Sequence, residues 1–214
     1  MSGSNDGAGV AGIQVRACPN TTDSSCAGSI DVQTTDATGH CELMLPTGPR
    51  GFGGYFESTA TNDITLLNFV MPPLASDRAD YQRIQCTGAL LQSLVGTAGY
   101  KLDPHRGHIG IEAHNCLSQS LVGMLDVRAV TLASGVAFEI DPSDATTVPV
   151  YLHGNAFETK DPKTDESGTA GVVNVIPGVH TLTMKLAATG QRIGSTSITI
   201  RPGVWSMIAF FPSP

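Results

Sequence analysis

Apolar and polar residues alternate with a period of two in short stretches along most of this chain. Residues 10–18, VAGIQVRAC, show it first; 28–34, 40–45 (HCELML), 52–58 (FGGYFES) and 63–70 (DITLLNFV) follow. The pattern resumes in 108–114, 122–130, 148–153, 170–175, 179–186, 192–200 and 204–211. Period two sends successive side chains to opposite faces, so each stretch reads as a half-buried strand. Turn residues separate them, as in Asp36 to Gly39 and Pro46 to Pro49. Residues 77–99 depart from this rule. Leu90, Leu91, Leu94 and Val95 form one helical stripe, with Thr87 placed to cap it and Gly96 to end it. The spacing predicts an all-β chain of two β-sandwich domains joined by a short helix. The first domain is expected over 8–76, a packed helical connector over 77–104 and the second domain over 105–214.

Composition agrees with this layout and narrows the function. Of 214 residues, 41% are hydrophobic, enough for a core, while 24 glycines and 13 prolines suit many tight turns. Charged residues make up only 14%, below the ~25% of ordinary globular chains. A net charge of −7 argues against nucleic acid as a partner and against anionic membrane surfaces. No run of apolar residues is long enough to predict a transmembrane segment, and no signal segment opens the sequence. The start, MSGSNDG, has the look of a flexible tail, upstream of which an export signal or lipid-anchor cysteine could stand.

Five cysteines are present, and none forms a CxxC pair. Cys18 and Cys26 bracket a polar loop, which makes a bridge across it the first expectation; Cys86–Cys116 is the second. Cys41 sits at an alternating strand position and reads as a small buried hydrophobe. Disulfides imply an oxidising, extracytoplasmic compartment: periplasm, cell surface or secretion.

The two halves echo each other. Val10, Gly12, Val15 and Ala17 match Val122, Gly123, Val127 and Ala129 with one insertion. Thr35-Asp36-x-x-Gly39 recurs as Thr164-Asp165-x-x-Gly168, and a strand and a Pro/Gly turn follow each, Leu45-Pro46-x-Gly48 and Ile176-Pro177-Gly178. Three matches in one order indicate a duplication. In TDxxG the Asp side chain bonds backbone two residues on, and Gly takes the left-handed position, so Asp36 and Asp165 read as turn makers rather than catalytic or calcium-binding groups.

These motifs resemble the carboxypeptidase regulatory-like, or transthyretin-like, domain family. GIQVRAC, TDATGHCELMLPTG and GFGGYFE carry the first copy; VGMLDVRA, TDESGTAGVVNVIPG and VHTLTMKL carry the second. With Pro72-Pro73, the linking helix and DPHRGHI, the chain is also similar to exported lipoproteins of myxobacteria and related bacteria. The resemblance implies prealbumin-like (Ig-like) sandwiches of seven strands in a supporting or binding role. In that family a strand precedes the Gly-Val-x-Val strand. Residues 108–114 supply it in the second half, but SGSNDGAG in the first half has no strand character. The first domain is therefore expected to lack its first strand and to leave an open sheet edge for another chain or a second copy.

Candidate chemistry gathers in 103–114. On a strand, His108, Gly110, Glu112 and His114 share one face, with Ile109, Ile111 and Ala113 on the other. Two imidazoles and a carboxylate are zinc or copper ligand types, so His108, Glu112 and His114 are the metal candidates, against the simpler reading of a solvated strand face. Tyr55 and Trp205 are the candidate sugar-stacking aromatics, against core packing. Tyr151 and His153 distantly resemble the iron ligands of intradiol dioxygenases, without that family's spacing. No GxSxG, SxxK, P-loop or GxGxxG occurs, and no catalytic residue is singled out. The expected function is an exported bacterial non-catalytic binding, adhesion or scaffold protein with an unknown protein or glycan partner. The alternatives are a metal-dependent enzyme or metal carrier, and a carbohydrate-binding module.

Overall fold

The computed structural model describes residues 9–19, 25–46, 48–49, 51–61, 63–70, 73–75, 86–115 and 131–212. Within them the chain is all-β apart from one helix. The strands are β1 (Gln14–Cys18), β2 (Asp31–Thr34), β3 (Tyr55–Thr59), β4 (Thr65–Phe69), β5 (Gly107–Ala113), β6 (Val136–Asp141), β7 (Val148–His153), β8 (Ala156–Glu158), β9 (Thr169–Val175), β10 (Gly178–Leu186), β11 (Arg192–Ile200) and β12 (Val204–Phe210). The helix α1 spans Gly88–Thr97 between β4 and β5.

These strands form a nine-stranded sheet, β2-β1-β3-β4-β12-β5-β9-β7-β8, and a three-stranded sheet, β11-β10-β6. The larger sheet crosses the boundary expected between the halves. Strand β12, near the end of the chain, runs parallel to β4 on one side and to β5 on the other, with Trp205 opposite both Leu66 and His108. The expected pieces keep their order along the sequence, yet hydrogen bonding joins them in one sheet.

Alternation decides which face each residue covers. Ile109, Ile111 and Ala113 of β5 and Ile208 and Phe210 of β12 meet Phe138, Ile140, Leu182, Met184, Ile198 and Ile200 of the smaller sheet in the main core. The opposite face of the larger sheet presents Leu66, Val150, Leu152, Val173 and Trp205, which α1 covers with Leu91 and Val95. Thr87 caps α1 by accepting from the Leu90 N–H, as its position predicts. The helix therefore packs as a layer across strands of both halves. A smaller third cluster joins Ala17, Phe52, Phe56 and Val70 to partly buried Val15, Ile30, Leu43, Leu45 and Leu74.

The helix also closes one sheet edge. Among the described residues strand β8 pairs only with β7, in a hairpin whose Leu152↔Phe157 pair leaves the Phe157 backbone facing outward. The Phe157 N–H donates to Thr97 Oγ1 at 2.8 Å, and the Phe157 carbonyl oxygen lies 2.9 Å from the same hydroxyl. Replacing Thr97 by valine keeps the shape and strands that N–H. A loss of about 1–2 kcal/mol is expected in urea unfolding, with faster hydrogen exchange at the Phe157 amide. Unchanged exchange there would remove the hydroxyl's role.

The two TDxxG turns share one hydrogen-bond pattern, which β6 completes in the second half. The expected echo of Val10–Ala17 in 122–129 lies outside the described residues. The counterpart of β1 is β6, which falls outside the strands expected from the sequence. In the first copy, Ile13 N–H donates to Thr35 Oγ1, which donates to the Val10 carbonyl. In the second, Val136 N–H donates to Thr164 Oγ1, which donates to the Ala133 carbonyl. Gly12 and Gly135 N–H then donate to the Thr35 and Thr164 carbonyls. Asp36 Oδ1 accepts from Thr38 N–H, and Asp165 Oδ1 from Ser167 N–H, both at 2.8 Å, forming the expected Asx turns. Gly39 and Gly168 have φ of 79° and 60°. A Cβ would come within 2.4 Å of the Val10 nitrogen at Gly39 and 2.7 Å of the Ala113 oxygen at Gly168. Both glycines are thus required by backbone angle and by close approach. By this alignment β1, β3 and β4 correspond to β6, β10 and β11, and residues 40–46 correspond to β9. The missed signal was local: Val136, Phe138 and Ile140 alternate directly after Gly135.

Candidate functional site

Strand β5 has the two faces expected of it, but the polar one is buried at His108, Gly110 and His114 and exposed only at Glu112. His108 is 1% exposed and its ring packs against Trp205, centroids 5.7 Å apart. Its Nδ1 accepts from the Asn174 N–H at 3.2 Å. Asn174 has φ of 58° and lies where the β5–β9 register shifts, a bulge that turns this N–H toward the imidazole. The Asn174 side chain then accepts from Asp103 N–H and donates to the Lys101 carbonyl. Its backbone carbonyl accepts from Arg106, which forms a bidentate pair with Asp144. Arg106 holds the Asp144 carboxyl far below the ordinary carboxylate range. Burial pushes the His108 pKa down to about 4.

The gap at Gly110 is filled from β12. A Cβ there would lie 2.5 Å from Met207 Sδ and 2.7 Å from Trp205 Nε1, so only glycine admits these side chains. This separates the imidazoles. His108 and His114, six residues apart on one strand, stand about 20 Å from each other and cannot share one ion. His114 is 6% exposed and stacks on Phe211 at 4.8 Å. Its Nε2 lies 3.8 Å from Glu112 Oε2. Its two ring nitrogens have no hydrogen-bond partner among the described residues. No group of three His, Cys, Asp or Glu side chains converges on a metal position among the described residues. Of the zinc or copper candidates His108, Glu112 and His114, His108 has its Nδ1 engaged by the Asn174 N–H and stands apart from the other two. Glu112 and His114 remain as a pair, where a protein zinc site takes three or four ligands.

The candidate aromatics are placed in the core. Tyr55 is 1% exposed and Trp205 2%, so neither offers a face to a sugar. Tyr55 packs on Phe69 in the main core. Trp205 sits under α1, its indole N–H directed at Met207 Sδ. Tyr151 is a peg between the sheets: its hydroxyl accepts from the Phe138 N–H at 3.0 Å. His153 stands at the β7 strand end with Nε2 3.9 Å from Glu158 Oε1. His180, not singled out from sequence, is buried between the Pro142 and Ile176 carbonyls at 2.8 and 2.7 Å.

The Cys18–Cys26 bridge is present. Cys86 is a free thiol packed beside the α1 cluster, and Cys116, its expected partner, lies outside the described residues. Cys41 is a free, half-buried thiol whose pKa burial raises.

What distinguishes the first copy, among the described residues, is an incomplete second layer. In the second copy β9 is flanked by β5 and β7. Its counterpart, 40–46, is extended and alternates in exposure, with Leu43 and Leu45 turned to the small core and Met44 73% exposed, yet it pairs with no strand among the described residues. One side of this segment is tied down: Met44 N–H donates to Asp31 Oδ2 at 2.8 Å. That bond, with the Val32 N–H, holds the Asp31 carboxyl below its usual range. Exposed Val10 and Val32 lie in the same copy.

The class defined so far is an all-β sandwich protein with two related copies, of which the first, among the described residues, lacks the strand that flanks β9 in the second. No family model and no curated protein matches the chain. Among solved structures it is similar to GBS52, the minor pilin of Streptococcus agalactiae, at 14% identity over 97% of this chain and 86% of that one, with a TM-score of 0.32. It is also similar to the shaft pilin SpaA of Lactobacillus rhamnosus GG, at 13% identity over 98% and 91%, with a TM-score of 0.29. Both likenesses are loose.

Proposed function

We propose that this chain is an exported bacterial surface protein without catalytic chemistry of its own, acting as a scaffold or binding module. The observation that carries the reading is the nine-stranded sheet shared by the two copies. It joins both copies by continuous hydrogen bonding and leaves 40–46 unpaired among the described residues. The Cys18–Cys26 bridge supports an oxidising compartment. The polar groups that first suggest chemistry are largely engaged in structure: His108 with Asn174, Tyr151 with Phe138, Asp36 and Asp165 in their turns. The burial of Tyr55 and Trp205 leaves the carbohydrate-binding alternative without its stacking platform.

Protease treatment of intact cells of the source organism tests the compartment. Digestion of the chain from outside is expected, with Cys18 and Cys26 unreactive to alkylation unless first reduced. A chain released only by lysis, with both thiols free, would overturn the reading.

A further inference from the structure

We propose that the first copy is completed by a β-strand from a different polypeptide, laid antiparallel along residues 40–46. That strand would carry an apolar, cationic, apolar triplet opposite Leu43, Glu42 and Cys41. The inference rests on the scaffold reading above and names the chemistry of its partner.

The second copy shows the completed arrangement. There, β5 runs antiparallel to β9 with Ile109 opposite Val172, Gly110 opposite Gly171 and Ile111 opposite Ala170. Ala113 N–H donates to the Gly168 carbonyl, and Ala133 N–H donates to the Ala113 carbonyl. The shared hydrogen-bond pattern of the two TDxxG turns aligns Gly168 with Gly39 and Ala133 with Val10. Ala170, Gly171 and Val172 then align with Cys41, Glu42 and Leu43. Alternate residues of an extended chain point their backbone groups to opposite sides. Met44 N–H already faces Asp31, on the side that β7 occupies in the second copy. The other side, served by the Gly39 carbonyl and the Cys41 and Leu43 amides, is the one that β5 fills in the second copy.

Two features select the occupant. Leu43 and Leu45 pack on the small core while remaining partly exposed, so apolar side chains opposite them would extend that core. Glu42 points to the other face and is exposed, where the second copy has Gly171 beneath Gly110. Charge chooses the residue between the apolar pair. Residues 1–46 hold Asp6, Asp23, Asp31, Asp36 and Glu42 against a single basic residue, Arg16. Arg16 is itself bound to Glu57. A lysine or arginine opposite Glu42 gains a cross-strand pair, whereas a carboxylate there is repelled. The chain's own net charge of −7 disfavours a second copy in this role.

A synthetic peptide of residues 105–115 with Gly110→Lys supplies the triplet Ile109-Lys-Ile111, and the same peptide with Gly110→Glu is its control. The lysine peptide is expected to bind the full chain saturably, about tenfold tighter than the control. Hydrogen exchange should slow at the Cys41 and Leu43 amides and not at Met44. Leu43→Pro, which removes one edge N–H, should weaken binding about tenfold. Glu42→Lys, an exposed change that leaves the fold intact, should invert the peptide preference. Absence of saturable binding, or an unchanged preference in Glu42→Lys, would overturn the proposal. So would dimerisation through this edge in sedimentation without peptide, which would assign the edge to a second copy. None of these results bears on surface exposure in cells, so the scaffold reading stands or falls separately.

Discussion

Replacing Glu57 with alanine is expected to lower the free energy of unfolding by about 3 kcal/mol, more than any other exchange of a polar side chain in the first copy. Glu57 lies on β3 with its side chain 5% exposed, and it sits between two guanidinium groups. Arg16, its cross-strand neighbour on β1, donates to Oε1 at 3.0 Å. Arg201, in the turn between β11 and β12, donates to Oε2. Arg16 also donates to the Cys26 carbonyl, which ties the disulfide loop into the same network. Removing the carboxylate leaves two cations facing each other at a covered site. Both arginines are about a quarter exposed and can turn toward water, which places the cost at the lower end for a broken buried pair. Because Arg201 belongs to the second copy, the effect reaches across the shared sheet. A double-mutant cycle of Glu57→Ala with Arg201→Ala in urea unfolding should return a coupling of about 1–3 kcal/mol. A coupling near zero would remove the Glu57–Arg201 pair from the contacts that join the copies.

The second large effect is a loss of stability in mild acid, traced to His108. Its pKa in the folded chain is about 4, lowered by burial from an ordinary 6.5 and only partly restored by Asp103. The fold thus favours the neutral ring, whose Nδ1 takes the Asn174 N–H. For a group with a depressed folded pKa, the contribution is complete above the unfolded value. It is lost as pH falls through the window between the two values. Stability should therefore drop between pH 6.5 and pH 4, by about 3 kcal/mol in all. The carboxyls held low by hydrogen bonds, Asp31, Asp36, Asp144 and Asp165, act further down, as pH falls through and below the ordinary carboxylate range. His108→Gln retains an acceptor for Asn174 and does not titrate. Its urea midpoint should stay nearly flat from pH 6.5 to pH 4.5. A wild-type-like slope in this variant would place the acid-sensitive group elsewhere.

The candidate site was legible in part, and the division follows from range. The two faces of β5 follow from period two alone, and Ile109, Ile111 and Ala113 enter the core as expected. The fate of the polar face does not follow, because what covers it comes from distant chain. Trp205 and Met207 arrive from β12, and the N–H that engages His108 arrives from a bulge in β9. Strand spacing already sets His108 and His114 about 20 Å apart; tertiary packing then buries each in a different environment. Tyr55 and Trp205 illustrate the same point, since an aromatic on a strand is equally consistent with a platform and a core until its neighbours are known.

By itself the sequence determined the all-β class, the Thr87 cap, the Asx turns at Asp36 and Asp165, and the small disulfide loop. Each of these rests on residues a few positions apart, where side-chain period, turn chemistry and loop length act directly. Only the tertiary structure decided that β12 runs parallel between β4 and β5, joining two copies in one sheet. It also decided that β6 answers β1 in its hydrogen bonds to the TDxxG turn, and that 40–46 stays unpaired among the described residues while its counterpart β9 is enclosed. Pairing between strands far apart in the chain depends on which apolar faces can be covered together. That choice is made by the whole core and is encoded in no single segment.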